Sequence, residues 1–131
     1  MVLPDAARAV LQKPLVVRMA VNDPDGYPHV VPVWFGLDGD DIMIFGYYNT
    51  RKIDYIKANP KGSVQIGGDM GNDGFLLKGE FKLEEDVDNQ WAKKITYAYE
   101  ADRANADKLL AEWTMNKLFL LRLVVNKVTK V

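Results

Sequence analysis

The chain has 131 residues and a formal net charge of −1, with 48% hydrophobic and 27% charged residues. This profile is typical of one globular domain, and we expect a single domain over residues 1–131. The near-neutral charge disfavours nucleic-acid binding, because proteins of that class are usually strongly basic. The apolar runs are too short to span a bilayer and no signal peptide is evident, so we expect a cytoplasmic protein without membrane contact.

The reactive side chains are few. The sequence has no cysteine, one histidine (His29) and one serine (Ser63). This excludes disulfides, thiol catalysis and a metal site built on several Cys or His ligands, and we expect no bound metal. Ser63 lies in a strand-like run without a nucleophile elbow, which disfavours a Ser-His-acid triad. If the protein is an enzyme, we expect a bound cofactor to carry the chemistry.

The first 35 residues are predicted to contain a short helix and two strands. The helix covers residues 4–12, with a proline near its start. Strands follow at residues 15–21 and 28–35, separated by a dense turn signal over residues 22–26. The near-continuous apolar character of the second strand predicts burial on both faces, while Pro32 predicts an edge, a bulge or a break in the ladder.

The remaining elements complete a mainly β pattern. A hairpin turn at residues 38–40 leads to a strand at 41–46, and a helix is predicted over residues 50–58. Further strands are predicted at residues 62–67, 75–83 and 118–125, with Gly79 as a bulge or bend. Residues 87–113 are helical in character, with a polar interruption at 100–105. Six strands with few helices predict a six-stranded antiparallel barrel with flanking helices.

The segment Asn49-Thr50-Arg51-Lys52 lies between a predicted strand and a predicted helix. Asn49 or Thr50 is a suitable N-cap, and the first helical turn presents free N–H groups and the positive end of the dipole. Cations are normally unfavourable at that position, whereas a phosphate bound by Arg51, Lys52 and the N–H groups would reverse the interaction. The alternative is that both side chains are simply solvated.

Aromatic residues cluster around the strand that precedes this segment. Trp34, Phe45, Tyr47 and Tyr48 would come together if the strands at 28–35 and 41–46 are neighbours. Such a wall suits a flat aromatic ligand, although ordinary core packing is the alternative. His29, at the start of a strand, is more typical of a structural residue than of a catalyst.

The order of these features resembles that of the pyridoxamine-phosphate-oxidase-like split-barrel family. The resemblance lies in four segments: residues 25–35 (DGYPHVVPVWF), 40–45 (DDIMIF), 49–52 (NTRK) and 59–64 (NPKGSV), with Lys78-Gly79-Glu80 as a weaker match. It covers residues 3–83 well and the remainder loosely.

The resemblance implies a split β-barrel of the FMN-binding type and a homodimer with the cofactor at its interface. The cofactor is FMN or, in part of the family, a deazaflavin coenzyme. Its phosphate would lie at Asn49, Thr50, Arg51 and Lys52. The ring would follow the backbone of Val31, Pro32, Val33 and Trp34, and would be bordered by Phe45, Gly46 and Tyr47.

Three positions depart from the pattern of true pyridoxamine-phosphate oxidases. Those enzymes have basic residues where Val31 stands and near Gly36, and a hydroxyl residue where Gly46 stands. We therefore expect an FMN-binding oxidoreductase that acts on an unknown small molecule and is not a true pyridoxamine-phosphate oxidase. The alternatives are a deazaflavin-dependent reductase and a non-catalytic FMN-binding carrier.

Overall fold

The computed structural model describes all residues, 1–131, and contains four α-helices and seven β-strands. The helices are α1 (Asp5–Leu11), α2 (Arg51–Ala58), α3 (Gln90–Tyr99) and α4 (Arg103–Trp113). The strands are β1 (Val17–Asn22), β2 (Pro28–Val33), β3 (Gly36–Asp38), β4 (Asp41–Tyr47), β5 (Lys61–Gly67), β6 (Gly74–Glu84) and β7 (Leu118–Lys130). None of the helices is both long and apolar enough to cross a membrane.

All seven strands belong to one antiparallel sheet with the order β2-β1-β5-β6-β7-β4-β3. In a flat sheet the two outer strands would be about 29 Å apart, which is six spacings of about 4.8 Å. Only Trp34 and Phe35 join β2 to β3, and so short a link spans roughly 10 Å. The sheet must therefore curl until its two edges approach, which gives the barrel its shape.

The inside of the curled sheet is the hydrophobic core. Strands β1, β4 and β7 supply alternating buried residues. Leu3, just before α1, and Ala7 and Leu11 of α1 add buried side chains at a spacing of four. Helix α2 closes one end with Ile53 and Ile56. Helices α3 and α4 contact each other, and α3 also packs on β3 and β4.

The predicted elements are all present, with one addition. The six predicted strands are observed, and the seventh is β3, a three-residue strand that pairs with β4 across the predicted hairpin turn at Gly39. The structure is thus mainly β and antiparallel, with seven strands instead of six. The helical region is interrupted as predicted, because Asp102 accepts hydrogen bonds from the N–H groups of Ala104 and Asn105 and starts α4.

The prediction that the strand at residues 28–35 is buried on both faces is wrong. Strand β2 lies at an edge of the sheet, and Val30 retains 55% of its surface exposed. The edge position does agree with Pro32, since a proline has no N–H group to donate to a neighbouring strand. The predicted bulge at Gly79 is confirmed by a register shift in the β6–β7 pairing.

Candidate functional site

An apolar cavity of about 220 Å³ lies on the outside of the barrel, at the end of β4. It is lined by Val33, Trp34, Phe45, Gly46, Tyr47, Trp113 and Leu118. Strand β4 contributes three consecutive residues, and the others come from the end of β2 and the residue after it, the end of α4 and the start of β7. Since no acidic or basic side chain lines it, this apolar cavity suits a neutral, flat group.

Aromatic contacts hold the walls of the apolar cavity in place. The ring of Trp34 stacks on Tyr99, with centroids 4.9 Å apart and planes 9° from parallel. Trp113 meets Trp34 edge-on at 6.0 Å and Phe45 at 5.7 Å. Such pairs stabilise by about 0.5–1.5 kcal/mol each beyond the buried area. Three of the lining rings, those of Trp34, Phe45 and Trp113, are therefore held by contacts with other aromatic rings.

Tyr99 anchors this aromatic group to the backbone. Its hydroxyl donates to the carbonyl of Leu15 at 2.6 Å and accepts from the N–H of Phe35 at 3.2 Å. Burial raises the pKa of Tyr99 to about 12, partly offset by the hydrogen bond from Phe35. The phenol stays neutral at physiological pH and acts as a support for Trp34.

Gly46 is required by packing behind the cavity. Strand β4 pairs with β7 here, and a Cβ on Gly46 would lie 2.8 Å from ring atoms of Phe119. Phe119 is buried, with 1% of its surface exposed. The ring thus fills the space that the hydroxyl residue of true pyridoxamine-phosphate oxidases would occupy.

The missing basic residue near Gly36 has a similar explanation. A Cβ on Gly36 would lie 3.2 Å from both Trp91 and Ile95 of α3. Helix α3 therefore occupies the place where a longer side chain would be needed. His29 packs edge-on against Tyr55 at 5.5 Å and does not line the apolar cavity.

A second, polar cavity of about 460 Å³ adjoins the first. Its lining residues are Tyr47, Tyr48, Asn49, Asn116 and Lys117, and Tyr47 lines both cavities. The segments meet because the N–H of Tyr48 donates to the carbonyl of Lys117 at 3.0 Å. Together the two cavities form a groove that changes from apolar to polar along its length.

The start of α2 lies immediately after Asn49, beside the polar cavity. Thr50 is the N-cap residue, but its side chain caps no N–H group and instead donates to the carbonyl of Tyr47 at 3.2 Å. The N–H groups of Arg51 and Lys52 lie in the first turn and have no acceptor within the helix. This helix start therefore presents free donors and the positive end of the dipole.

Four cations lie on the segments that flank the polar cavity and are called here the cationic end: Arg51, Lys52 and Lys57 of α2, and Lys117 before β7, which alone lines the cavity. None of them forms an ion pair, and neither does the neighbouring Asp54. Lys52 is half-buried, with its ammonium 5.9 Å from the ring centroid of Phe119, and burial lowers the pKa of Lys52. Partial burial of an ammonium group without a carboxylate partner carries a desolvation cost, which a bound anion would offset.

The structure brings together some of the predicted site residues but not all. Val33, Trp34, Phe45, Gly46 and Tyr47 line the apolar cavity, and Asn49 lines the polar one. The other predicted residues line neither cavity: Val31 packs against the core, Pro32 is exposed on β2, and Thr50, Arg51 and Lys52 begin α2.

Tyr48 lines the polar cavity but was predicted only as part of the aromatic wall, and four further residues of the groove were not predicted at all: Trp113, Asn116, Lys117 and Leu118. They come from the α4–β7 connection, which is far from β4 in sequence. The available signal was a large aromatic residue at the end of a predicted helix, followed by a lysine before the last strand. Only the β4–β7 pairing places them at the groove.

The comparisons with known proteins agree with this architecture. The sequence profile described as pyridoxamine 5'-phosphate oxidase matches residues 3–122. No curated protein gives a significant match. Three solved structures illustrate the fold.

A conserved hypothetical protein from Mycobacterium tuberculosis has a TM-score of 0.80 and 19% identity, with 99% of this chain and 85% of that chain covered. An F420 reductase has a TM-score of 0.76 and 20% identity, covering 97% and 98%. An FAD-binding protein from Mesorhizobium loti has a TM-score of 0.67 and 22% identity, covering 98% and 94%. These likenesses confirm the split-barrel fold, and the profile match shows that the chain belongs to the pyridoxamine 5'-phosphate oxidase family.

Proposed function

We propose that this protein is a cytoplasmic, flavin-binding oxidoreductase that uses FMN to act on a small molecule and does not oxidise pyridoxamine phosphate. The observation that carries the proposal is the groove itself. The uncharged aromatic cavity continues through Tyr47 into the polar cavity. The four cations of the cationic end flank the polar cavity, and none of them is paired with a carboxylate. A flat ring with a phosphate-bearing side chain has the complementary shape and charge.

The volume of the apolar cavity supports a site completed by a second chain. About 220 Å³ is below the roughly 300–1,000 Å³ that small-molecule sites usually enclose. One chain would therefore cover only part of a flavin ring. A homodimer with the cofactor at its interface would supply the remaining wall.

The exposed face of β2 also supports a homodimer. Tyr27, Val30 and the neighbouring Val16 retain 70%, 55% and 45% of their surfaces exposed. An apolar edge strand without a partner invites association with another chain. Burial of this face would also place a second chain beside Val33 and Trp34, at the mouth of the apolar cavity.

The chemistry would come from the cofactor, because the cavity supplies little of its own. A bound flavin supplies hydride or electron transfer to a substrate. The only hydroxyl among the residues that line the apolar cavity is that of Tyr47. The roles left to the protein are to orient the ring between Trp34, Phe45 and Trp113, to exclude water, and to hold the phosphate at α2.

A deazaflavin-dependent reductase is the second candidate. It is favoured by the likeness to an F420 reductase, which matches almost the full length of both chains. A non-catalytic FMN carrier has the same groove and differs only in turnover.

The test is a spectrum of the purified protein followed by titration with FMN, riboflavin and F420. We expect the visible absorption of an oxidised flavin, or a flavin added back to bind with FMN preferred over riboflavin. A band at shorter wavelength and selective binding of F420 would favour the deazaflavin candidate. Reduction by a nicotinamide donor and reoxidation by an added acceptor would separate an enzyme from a carrier. No binding of any of the three would contradict the proposal.

A further inference from the structure

A third cavity, of about 310 Å³, lies between the end of α1, the start of β3 and helix α3. It shares no lining residue with the apolar cavity or the polar cavity. Its volume is at the lower end of the roughly 300–1,000 Å³ that is usual for small-molecule sites. Its walls are mainly apolar and include Leu11, Pro14, Phe35, Leu37, Ile95 and Ala98.

Two lysines add positive charge to these walls. Lys13 and Lys94 line the third cavity, and no carboxylate lines it. Neither lysine forms an ion pair within the chain. The Lys94 ammonium lies 4.7 Å from a ring centroid of Trp91, and such a cation–π contact leaves the positive charge available to an anion. The third cavity therefore combines apolar walls with positive charge that the chain does not neutralise.

Tyr99 fixes the walls of the third cavity and separates it from the groove. Its hydroxyl donates to the carbonyl of Leu15, in the segment after α1, and accepts from the N–H of Phe35, just before β3. These two hydrogen bonds join walls that come from distant parts of the sequence. The ring of Tyr99 lines the third cavity and also stacks on Trp34, which lines the apolar cavity. The third cavity is thus formed within one chain and is distinct from the groove.

The backbone around the third cavity favours a single negative charge over a phosphate. The N–H groups of Gln12, Lys13 and Leu15 already donate to backbone carbonyls, at 3.0, 3.1 and 2.8 Å. They are not free to surround a phosphate, as the N–H groups at the start of a helix are. The cavity lies instead beside the C-terminal end of α1, where the helix dipole disfavours a high negative charge. The lysine side chains remain as the partners for an anion.

We propose that the third cavity is a second ligand site, independent of the proposed flavin function, for a small monocarboxylate with an apolar body. The hydrocarbon part packs against Leu11, Phe35 and Ile95, and the carboxylate pairs with Lys13 and Lys94. A cavity of about 310 Å³ accommodates a free small molecule and not a segment of a protein partner.

The experiment follows the amide signals of the full-length protein by NMR during titration with hexanoate, hexanamide and inorganic phosphate. Hexanamide has the shape of hexanoate without its charge, and phosphate has charge without an apolar body. Millimolar hexanoate should shift the signals of residues 11–13, 35–37 and 94–99, which line or adjoin the third cavity. It should bind about 5-fold more tightly than hexanamide, as expected for an ion pair at the upper end of those measured on surfaces. Phosphate should shift none of these signals.

Substitutions locate the site. Lys94→Gln should weaken hexanoate about 3-fold and leave hexanamide unchanged. Lys93→Gln is the matched control, because Lys93 is the preceding exposed lysine of α3 and does not line the cavity. Ala98→Leu, at an exposed position of the same helix, should abolish binding of both probes by filling the cavity. Lys117→Gln and an excess of FMN act on the groove and should leave hexanoate affinity unchanged.

Four results would overturn the inference. Hexanoate that shifts none of these signals at millimolar concentration, or binds no more tightly than hexanamide, would show that no carboxylate site exists. An equal loss in Lys93→Gln and Lys94→Gln would show a general effect of surface charge. A loss in Lys117→Gln without one in Lys94→Gln would place the probe in the groove. Binding of phosphate at the same residues would contradict the ligand class. The titrations with hexanoate need no flavin, so the inference and the proposed function can fail separately.

Discussion

Two groups of charged residues lie near opposite ends of the β4–β7 pair, and only one of them is neutralised from within the chain. Arg122 on β7 donates to Glu84, Asp41 and Asp38 at 2.7, 2.9 and 2.8 Å. These contacts join the end of β6 to the β3–β4 hairpin. They raise the pKa of the Arg122 guanidinium, with the hydrogen bond to Glu84 as the largest cause.

The cationic end, in contrast, is not neutralised by carboxylates of the same chain. Arg51, Lys52, Lys57 and Lys117 have no ion-pair partner. Arg51 and Lys52 lie in the first turn of α2, where the helix dipole disfavours cations. The difference indicates that Arg122 serves the stability of the fold, whereas the cationic end is left without internal neutralisation and is the place where we propose that the phosphate binds. Each charge group should then respond differently to substitution.

Replacement of Arg122 by Met should give the largest loss of stability. The change leaves three partly exposed carboxylates close together and removes their shared donor. We expect the free energy of unfolding to fall by about 2–3 kcal/mol, a value reduced for solvent exposure. Urea denaturation measures it, and FMN affinity should be unchanged. A loss below about 0.5 kcal/mol would mean that the cluster is not structural.

Replacement of Trp113 by Leu should weaken binding of the flavin ring whether or not the cofactor side chain carries a phosphate. We expect about a 10-fold loss of affinity for both riboflavin and FMN, because the stacking wall is removed while the cationic end is retained. Trp91→Leu is the matched control, since Trp91 packs against Gly36 and does not line the cavity. Fluorescence titration checks this, and a loss confined to FMN would contradict the placement of the ring.

Replacement of Lys52 by Met should stabilise the empty protein slightly. Removal of a half-buried cation from the first turn of α2 should raise the free energy of unfolding by about 0.5 kcal/mol. Lys57→Met, in the last turn of the same helix, should have the opposite sign because a cation there is favourable. Destabilisation by both substitutions would indicate that Lys52 has no electrostatic cost.

The increase in the free energy of unfolding caused by Lys52→Met should depend on pH. Burial lowers the pKa of Lys52 from its ordinary value of 10.5. Between that lowered pKa and 10.5 the unfolded chain binds more protons than the folded chain, so stability of the parent rises with pH. The difference between parent and variant should therefore be full below this window and vanish above 10.5.

The local pattern of the sequence is enough to predict most of the fold. Each predicted strand is bounded by strong turn residues. Asp102 caps the start of α4 and so divides the helical region in two. Strand β3 was missed because three residues show no periodicity. The predicted burial of β2 was wrong because hydrophobicity alone cannot distinguish a strand between two neighbours from a strand at the edge of the sheet.

The groove residues were predictable where they are local in sequence or, like Val33 and Trp34, part of the family resemblance. Residues 45–47 and Asn49 are contiguous with the motif at 50–52, and they do line the groove or adjoin it. Trp113 and Lys117 enter through the pairing of β4 with β7, which no local pattern encodes. The roles of Gly36 and Gly46 likewise depend on side chains that pack against them from elsewhere in the chain.

The most direct test of the account compares FMN with riboflavin, which lacks the phosphate, in the parent and in Arg51→Ala and Lys52→Ala. A charge-assisted hydrogen bond to phosphate contributes about 1.5–3 kcal/mol, so each substitution should weaken FMN about 10- to 150-fold. Riboflavin affinity should barely change in either variant. If both variants bind FMN and riboflavin as the parent does, the two cations are merely solvated and the phosphate does not bind at α2.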